Sequence, residues 1–306
     1  MSATAPAGPT ARITAPALRA MKEAGRPIVM LTAYDFHGAR LAEAAGVDSI
    51  LVGDSLGMTM LGHGSTLPVT MDDMVRATTA VSRACSRVLV VADMPFMSYA
   101  ADYAEGMRNA GRLVAEGGAS AVKVENASAA TLDLVAGLTD AGIPVMGHVG
   151  LTPQSVNTLG GYKTQGKDAA SATLAIADAL ALEEAGAFAV VLECIPAELA
   201  ERITGLLTIP TIGIGAGVGC DGQVQVFHDI LGLGDFLPKH AKRFADLGTA
   251  IRNAVSAYAD DVRDGAFPAE PHSTHLDADV LVEIDAIIAG ATAEDAPDSL
   301  DVDPLS

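Results

Sequence analysis

This 306-residue chain has few cysteines, few cationic residues and no long apolar run. Its three cysteines, Cys85, Cys194 and Cys220, are an odd number without metal-ligand spacing, which argues against a disulfide framework or a zinc site and predicts free thiols. Lys and Arg number 19 against 38 Asp and Glu, and the net charge of −19 excludes a nucleic-acid partner, because phosphate binding needs clustered cations. No window approaches the roughly 20 uninterrupted apolar residues of a membrane span. The opening Met1-Ser-Ala-Thr-Ala-Pro lacks the basic and apolar regions of a signal peptide. The expectation is a cytoplasmic protein with neither a membrane nor a nucleic-acid partner.

What is present is apolar bulk and unevenly placed acid. Half the residues are apolar, enough to fill one α/β barrel or two smaller domains. Nine of the nineteen excess negative charges fall within residues 276–306, which hold no Lys or Arg. Pro297 and Pro304 among those acids predict a solvated, flexible tail, in which Val280-Leu-Val-Glu-Ile-Asp-Ala-Ile-Ile can form a short amphipathic helix. A solubilising role and adaptation to high salt both fit that composition.

Four apolar runs of strand length each end on a carboxylate: Ser49-Ile-Leu-Val-Gly-Asp54, Val88-Leu-Val-Val-Ala-Asp93, Ala121-Val-Lys-Val-Glu125 and Ala189-Val-Val-Leu-Glu193. Such runs read as parallel strands buried on both faces, and acids at their carboxyl ends converge where such a sheet binds ligands. Strand and helix alternate eight times. Strands are expected at 28–34, 49–55, 88–94, 121–125, 144–149, 189–195, 210–215 and 235–238, with helices near 39–45, 71–84, 103–116, 129–141, 171–185, 197–207, 223–231 and 241–262. This repeat predicts an α/β fold, a single (β/α)8 TIM barrel over residues 1–275, with a doubly wound sheet as runner-up. Pro16 opens a further helix over 16–24 that would cover the barrel bottom.

Loop length marks the working face. Joins from strand to helix are long at 56–70, 95–102 and 150–170, and long loops at the carboxyl face carry function. In the last of them, Gly160-Gly-Tyr-Lys-Thr-Gln-Gly-Lys167 offers hinge glycines and two cations suited to a lid over an anionic substrate, or simply a flexible surface loop.

Acids gathered at one rim are costly to bury without purpose. Three of them can hold a hard divalent cation while the fourth acts as a base. Lys123 and Glu125, two apart on one strand, share a face and can meet Asp54 and Asp93 in the barrel mouth. Lys123 balances the acids as a plain ion pair or holds a carboxylate or developing oxyanion. For Asp54 and Asp93 the structural alternative is helix capping, which the long following loops weaken. His148 can be acid, base or ligand, or a hydrogen-bonded core histidine. Cys194 follows Glu193, and because consecutive strand residues face opposite ways it is expected to be an inert buried thiol. Gly213-Ile-Gly-Ala-Gly217 lacks the residues of a phosphate loop and reads as backbone making room for a ligand.

Eight motifs stand in order along the chain: Leu51-Val-Gly-Asp-Ser-Leu-Gly-Met-Thr, Ser65-Thr-Leu-Pro-Val-Thr after Gly62-His63, Ala92-Asp-Met-Pro-Phe-Met, Val122-Lys-Val-Glu, Gly147-His-Val-Gly-Leu-Thr-Pro-Gln-Ser, Gly160-Gly-Tyr-Lys, Leu192-Glu-Cys-Ile-Pro and Gly213-Ile-Gly-Ala-Gly. In these the chain resembles the ketopantoate (3-methyl-2-oxobutanoate) hydroxymethyltransferase family. The resemblance runs from Ile13 to His275. Gly64 departs from it, standing where the family has an acid, and the acidic tail lies outside it. The resemblance implies transfer of a hydroxymethyl group from 5,10-methylenetetrahydrofolate to 3-methyl-2-oxobutanoate in pantothenate biosynthesis. It also implies Mg2+ held by Asp54, Asp93 and Glu125, substrate held at this centre by Asp54, Asp93, Ser55 and Lys123, Glu193 as the base, His148 in support, and a homo-oligomer, a decamer. The alternatives are a Mg2+-dependent lyase or mutase of the phosphoenolpyruvate/pyruvate-binding barrel group, which commonly uses a reactive cysteine loop absent here, and a non-enzymatic metabolite-binding protein, which would leave Glu193 without a task.

Overall fold

The computed structural model describes residues 11–294. Its strands are β1 (Ile28–Thr32), β2 (Ser49–Val52), β3 (Leu89–Asp93), β4 (Ala121–Lys123), β5 (Val145–Gly150), β6 (Ala189–Glu193), β7 (Thr211–Ile214) and β8 (Gly222–Gln225). All pair in parallel with their sequence neighbours, and β8 pairs with β1, so the sheet closes into a barrel. The helices are α1 (Ala15–Glu23), α2 (Phe36–Ala44), α3 (Leu56–Thr59), α4 (Met71–Ala84), α5 (Tyr103–Ala115), α6 (Ala129–Asp140), α7 (Val156–Leu159), α8 (Ala169–Glu184), α9 (Ala197–Leu206), α10 (Phe227–Leu231), α11 (Leu247–Arg263) and α12 (Ala278–Glu294). The (β/α)8 expectation therefore holds, and the doubly wound alternative falls.

Strand periodicity divides the core into two layers. Met30, Leu51, Leu89, Val91, Ala121, Met146, Ala189, Val191, Ile212, Ile214 and Val224 form one buried cluster, the barrel interior. The alternate residues Ile50, Val52, Val90, Ala92, Val122, Val145, Val190 and Leu192 form a second cluster with helix residues such as Met74, Leu113, Leu134 and Leu182. Helix α1 closes the bottom as expected: Leu18 and Met21 join the interior cluster, and Lys22 Nζ reaches Asp221 at 2.9 Å, just ahead of β8.

Two expectations are corrected. The eighth strand is Gly222–Gln225 and not 235–238, and residues 223–231 are helical only from Phe227. Gly222-Gln-Val-Gln lacks an apolar outer face, since Gln223 is exposed, so backbone pairing with β1 and β7 defines the strand instead. The chain also divides into two compact units, one ending at Gly248 and the other from Thr249 onward. In the second unit α11 has no buried residue, and Ile251, Val255, Tyr258 and Val262 form an exposed apolar stripe along it. Helix α12 is longer than the short amphipathic segment expected at 280–288. The rest of the tail, 295–306, lies outside the described residues.

Candidate active site

Moving up the strands toward their carboxyl ends, the inward side chains change from apolar to ionisable. Val91 is followed two residues later by Asp93, Ala121 by Lys123 and then Glu125, Met146 by His148, and Val191 by Glu193. Register places Asp93 beside Lys123 and Glu193 beside Gly150. Asp54 is out of this phase and reaches the mouth through the turn after β2. Gly53 permits that turn: a Cβ there would lie 2.8 Å from Ser55 Oγ and 3.4 Å from Asp93 Oδ2.

The acids are distinguished by their partners. Lys123 Nζ lies 2.8 Å from Asp93 Oδ1, and the Asp54 backbone N–H donates to Asp93 Oδ2 at 3.0 Å. Gln154 Nε2 donates to Asp54 Oδ2 and its backbone N–H to Glu125 Oε2, each at 2.9 Å. His148 stands between two acids, with Nδ1 3.4 Å from Glu125 Oε1 and Nε2 3.2 Å from Glu193 Oε2, the second contact lacking hydrogen-bond alignment. Asp54, Asp93, Lys123, Glu125 and His148 are all buried. Glu193 is the open member, its side chain 15% exposed. Ser55 Oγ is 2.8 Å from Tyr34 Oη.

Burial and mutual repulsion set the electrostatics. Desolvation and the charges of Asp93 and Glu125 hold the Asp54 carboxyl well above its usual range. Asp93 is also raised by burial, against the opposing pull of Lys123. Burial pushes Glu125 up, but its hydrogen bond to His148 and that imidazole's charge outweigh it, so Glu125 lies below its usual value. Burial and Lys123 push His148 down, yet Glu125 and Glu193 overcome both and raise it to about 9. Lys123 stays charged because Asp93, Glu125 and Asp54 outweigh its desolvation.

These groups line a cavity of about 920 Å³, within the range of small-molecule sites. Tyr162, Thr164 and Met58 from the two long loops line it too, whereas Lys163 and Lys167 do not, so the two lid cations expected for the substrate are not cavity residues. Cys194 is corrected as well. It lines the same cavity as Glu193 because its backbone is left-handed, at φ +48°, which breaks strand alternation. Its Sγ lies 3.7 Å from His240 Nδ1, and burial followed by the Glu193 charge pushes the thiol up to about 11; the half-buried side chain faces the cavity, against the outward direction expected. Gly215 gives room to these side chains, since a Cβ there would lie 2.9 Å from His240 Cβ and 3.2 Å from Cys194 Sγ.

Among the described residues no three His, Cys, Asp or Glu side chains converge closely enough to hold a metal ion unaided. Asp54 and Asp93 nevertheless suit a hard divalent cation. They are adjacent oxygen donors with raised proton affinity, and Asp93 Oδ1 is buried with no aligned hydrogen bond. Four carboxylates face one ammonium and one imidazolium, so two positive charges would balance the set. Mg2+ characteristically binds through one or two carboxylates and completes its shell with water and substrate.

Gln154, Tyr99 and Tyr162 are site residues that sequence reasoning did not single out. Gln154 lies within the Gly147–Ser155 motif, which was the available signal.

A closed barrel whose mouth gathers acids, a lysine and a histidine around an apolar-floored cavity defines a (β/α)8-barrel enzyme. The fold is similar to solved structures of phosphoenolpyruvate phosphomutase from Streptomyces platensis subsp. rosaceus (TM-score 0.57, 18% identity, 92% of this chain and 98% of that one) and of 2,3-dimethylmalate lyase (TM-score 0.56, 20% identity, 94% and 99%). Residues 12–270 match the family model of ketopantoate hydroxymethyltransferase. The chain is 55% identical over 274 residues to the 3-methyl-2-oxobutanoate hydroxymethyltransferase of Carboxydothermus hydrogenoformans (89% of this chain, 99% of the relative). It is 56% identical over 263 residues to that of Moorella thermoacetica (86% and 97%). The chain belongs to the ketopantoate hydroxymethyltransferase family and is an enzyme of it.

Proposed function

We infer that this enzyme transfers a hydroxymethyl group to 3-methyl-2-oxobutanoate, giving 2-dehydropantoate for pantothenate and coenzyme A biosynthesis, with 5,10-methylenetetrahydrofolate as donor and Mg2+ as cofactor. The observation that carries this reading is the division of labour among the four acids. All four line the cavity, but three are buried and tied to Lys123, Gln154 or His148, while Glu193 alone is partly exposed. Asp54 and Asp93 would ligate Mg2+ and Glu125 would complete the acid set, with substrate and water filling the rest of the shell. When bound, the ion would supply Lewis-acid stabilisation of negative charge on the keto oxygen.

The protein groups do the rest. Lys123 Nζ, still charged despite burial, meets the anionic end of the ketoacid, and Ser55 Oγ, positioned by Tyr34, adds a hydrogen bond. Glu193 takes the C3 proton onto a carboxylate oxygen. His148, cationic below about pH 9, keeps Glu193 and Glu125 apart in charge and fixed in place. The apolar wall formed by Leu51, Val191, Ile214 and Val224 suits the branched carbon chain. The cavity volume leaves space for a second substrate beside so small an acid.

The lyase or mutase alternative has the fold alone behind it, and the thiol held at about 11 in Cys194 gives it no reactive cysteine. Free cysteines favour a reducing compartment, the cytoplasm. The exposed apolar stripe of α11 favours a homo-oligomer, such as the decamer the family resemblance implies. Turnover of 3-methyl-2-oxobutanoate with methylenetetrahydrofolate should be Mg2+-dependent and abolished by chelation; chelator-resistant turnover would remove the metal from this account.

A further inference from the structure

Gln154 and Tyr99 form a buried circuit that begins and ends at Glu125. The Glu125 backbone N–H donates to Tyr99 Oη at 3.1 Å. Tyr99 Oη in turn donates to Gln154 Oε1 at 3.0 Å. The other end of that amide, Nε2, donates to Asp54 Oδ2 and to the Met94 carbonyl, each at 2.9 Å. The Gln154 backbone N–H then returns to Glu125 Oε2 at 2.9 Å. All four side chains are buried.

Chemistry fixes the direction of every bond in the circuit. A carboxylate and a carbonyl only accept, so Nε2 must face Asp54 and Met94, and Oε1 must face a donor. Tyr99 supplies it: its hydroxyl lies 3.0 Å from Oε1, closer than its other acceptor, the Glu125 carbonyl at 3.4 Å. Burial disfavours ionisation of this phenol, and the Glu125 charge disfavours it further, so the donor proton is retained. A flipped amide would point Oε1 at two acceptors inside a water-poor site. Tyr99 thus selects the one amide orientation in which Gln154 can hold Asp54.

We propose that Gln154, oriented by Tyr99, is the positioning residue that fixes Asp54 and Glu125 relative to each other, preorganising the acid pair for a divalent cation. The side-chain donor to Asp54 and the backbone donor to Glu125 come from one residue, so the amide ties Asp54 to the segment that holds Glu125. The inference rests on the reading that these acids hold Mg2+, and outer-shell partners of such ligands characteristically govern affinity by roughly 10- to 100-fold.

The test is calorimetric titration of the substrate-free full-length protein with MgCl2, in wild type, Gln154→Met, Tyr99→Phe and the double variant. Circular dichroism and a cooperative melt report folding. Met keeps the length of Gln without its side-chain amide and leaves the backbone donor to Glu125 in place, and Phe removes a single oxygen. The expected result is a loss of Mg2+ affinity of roughly 10- to 100-fold in Gln154→Met and a smaller loss in Tyr99→Phe. The double variant should fall close to Gln154→Met, because Tyr99 acts largely through the amide. With Mg2+ saturating, the KM for the ketoacid should move less than the Mg2+ affinity, a split that general loosening of the fold would not produce. Wild-type affinity in both folded single variants overturns the proposal, as does strict additivity in the double variant. If Gln154→Met does not fold, an unchanged Tyr99→Phe is sufficient to overturn it. Failure of the wild type itself to bind Mg2+ rejects the metal reading and, with it, this one.

Discussion

His148 Nε2 stands 3.2 Å from Glu193 Oε2, so the one partly exposed acid is backed by the same imidazole whose other nitrogen faces Glu125. A cation at that point links Glu193 to the buried acids without covering it.

His148 has a defined pH signature. Its folded value of about 9 lies above the ordinary 6.5, so its contribution to stability is fully present below about pH 6.5 and is lost as pH rises toward 9. In metal-free protein, the melting-temperature advantage of wild type over His148→Gln should shrink across that window. Turnover of the variant should fall by roughly 10- to 100-fold. A pH-independent difference in melting temperature would remove the charged form from this account.

Asp54 is held above its usual range by burial and by repulsion from Asp93 and Glu125, so ionising it at neutral pH costs stability. Metal-free Asp54→Asn keeps an acceptor for Gln154 and relieves that repulsion. It should melt at a higher temperature than wild type. Added Mg2+ should raise the melting temperature of wild type and leave the variant unchanged. A less stable metal-free variant would show that the acids are not strained against one another.

Cys194, despite lining the cavity, has its thiol pushed up to about 11 by burial first and the Glu193 charge second. Peptide-resolved alkylation with iodoacetamide should be slow at neutral pH and accelerate about tenfold per pH unit toward 11. Cys194→Ser should retain most turnover. Fast alkylation near pH 7 would mark this cysteine as an activated thiol and reopen the lyase alternative.

The sequence was most legible where strand periodicity and chemistry coincide. Asp93, Lys123, Glu125, His148 and Glu193 fall on the inward phase of β3 to β6, so their convergence follows from a period of two. Asp54 could be placed by its position at a strand end, but its approach to Asp93 depends on the turn that Gly53 allows. Strand β8 was illegible because Gly222-Gln-Val-Gln has one apolar side chain and is held by backbone pairing. The direction of Cys194 was misread because a left-handed residue interrupts alternation immediately after Glu193. The roles of Gln154 and Tyr99 lie in hydrogen bonds spanning 55 and 100 residues, which no local pattern encodes. Helix α11 was expected within 241–262, but its lack of any buried residue is a tertiary fact.

Glu193 is assigned removal of the C3 proton, and the other three acids are assigned to the metal. NMR can follow exchange of the C3 proton of 3-methyl-2-oxobutanoate in deuterated water, with Mg2+ present and no one-carbon donor. Wild type should exchange, and Glu193→Gln should lose roughly 10²- to 10⁴-fold of that rate while keeping its fold and its calorimetric affinity for Mg2+. Near wild-type exchange in folded Glu193→Gln would contradict this assignment and move the base to another residue.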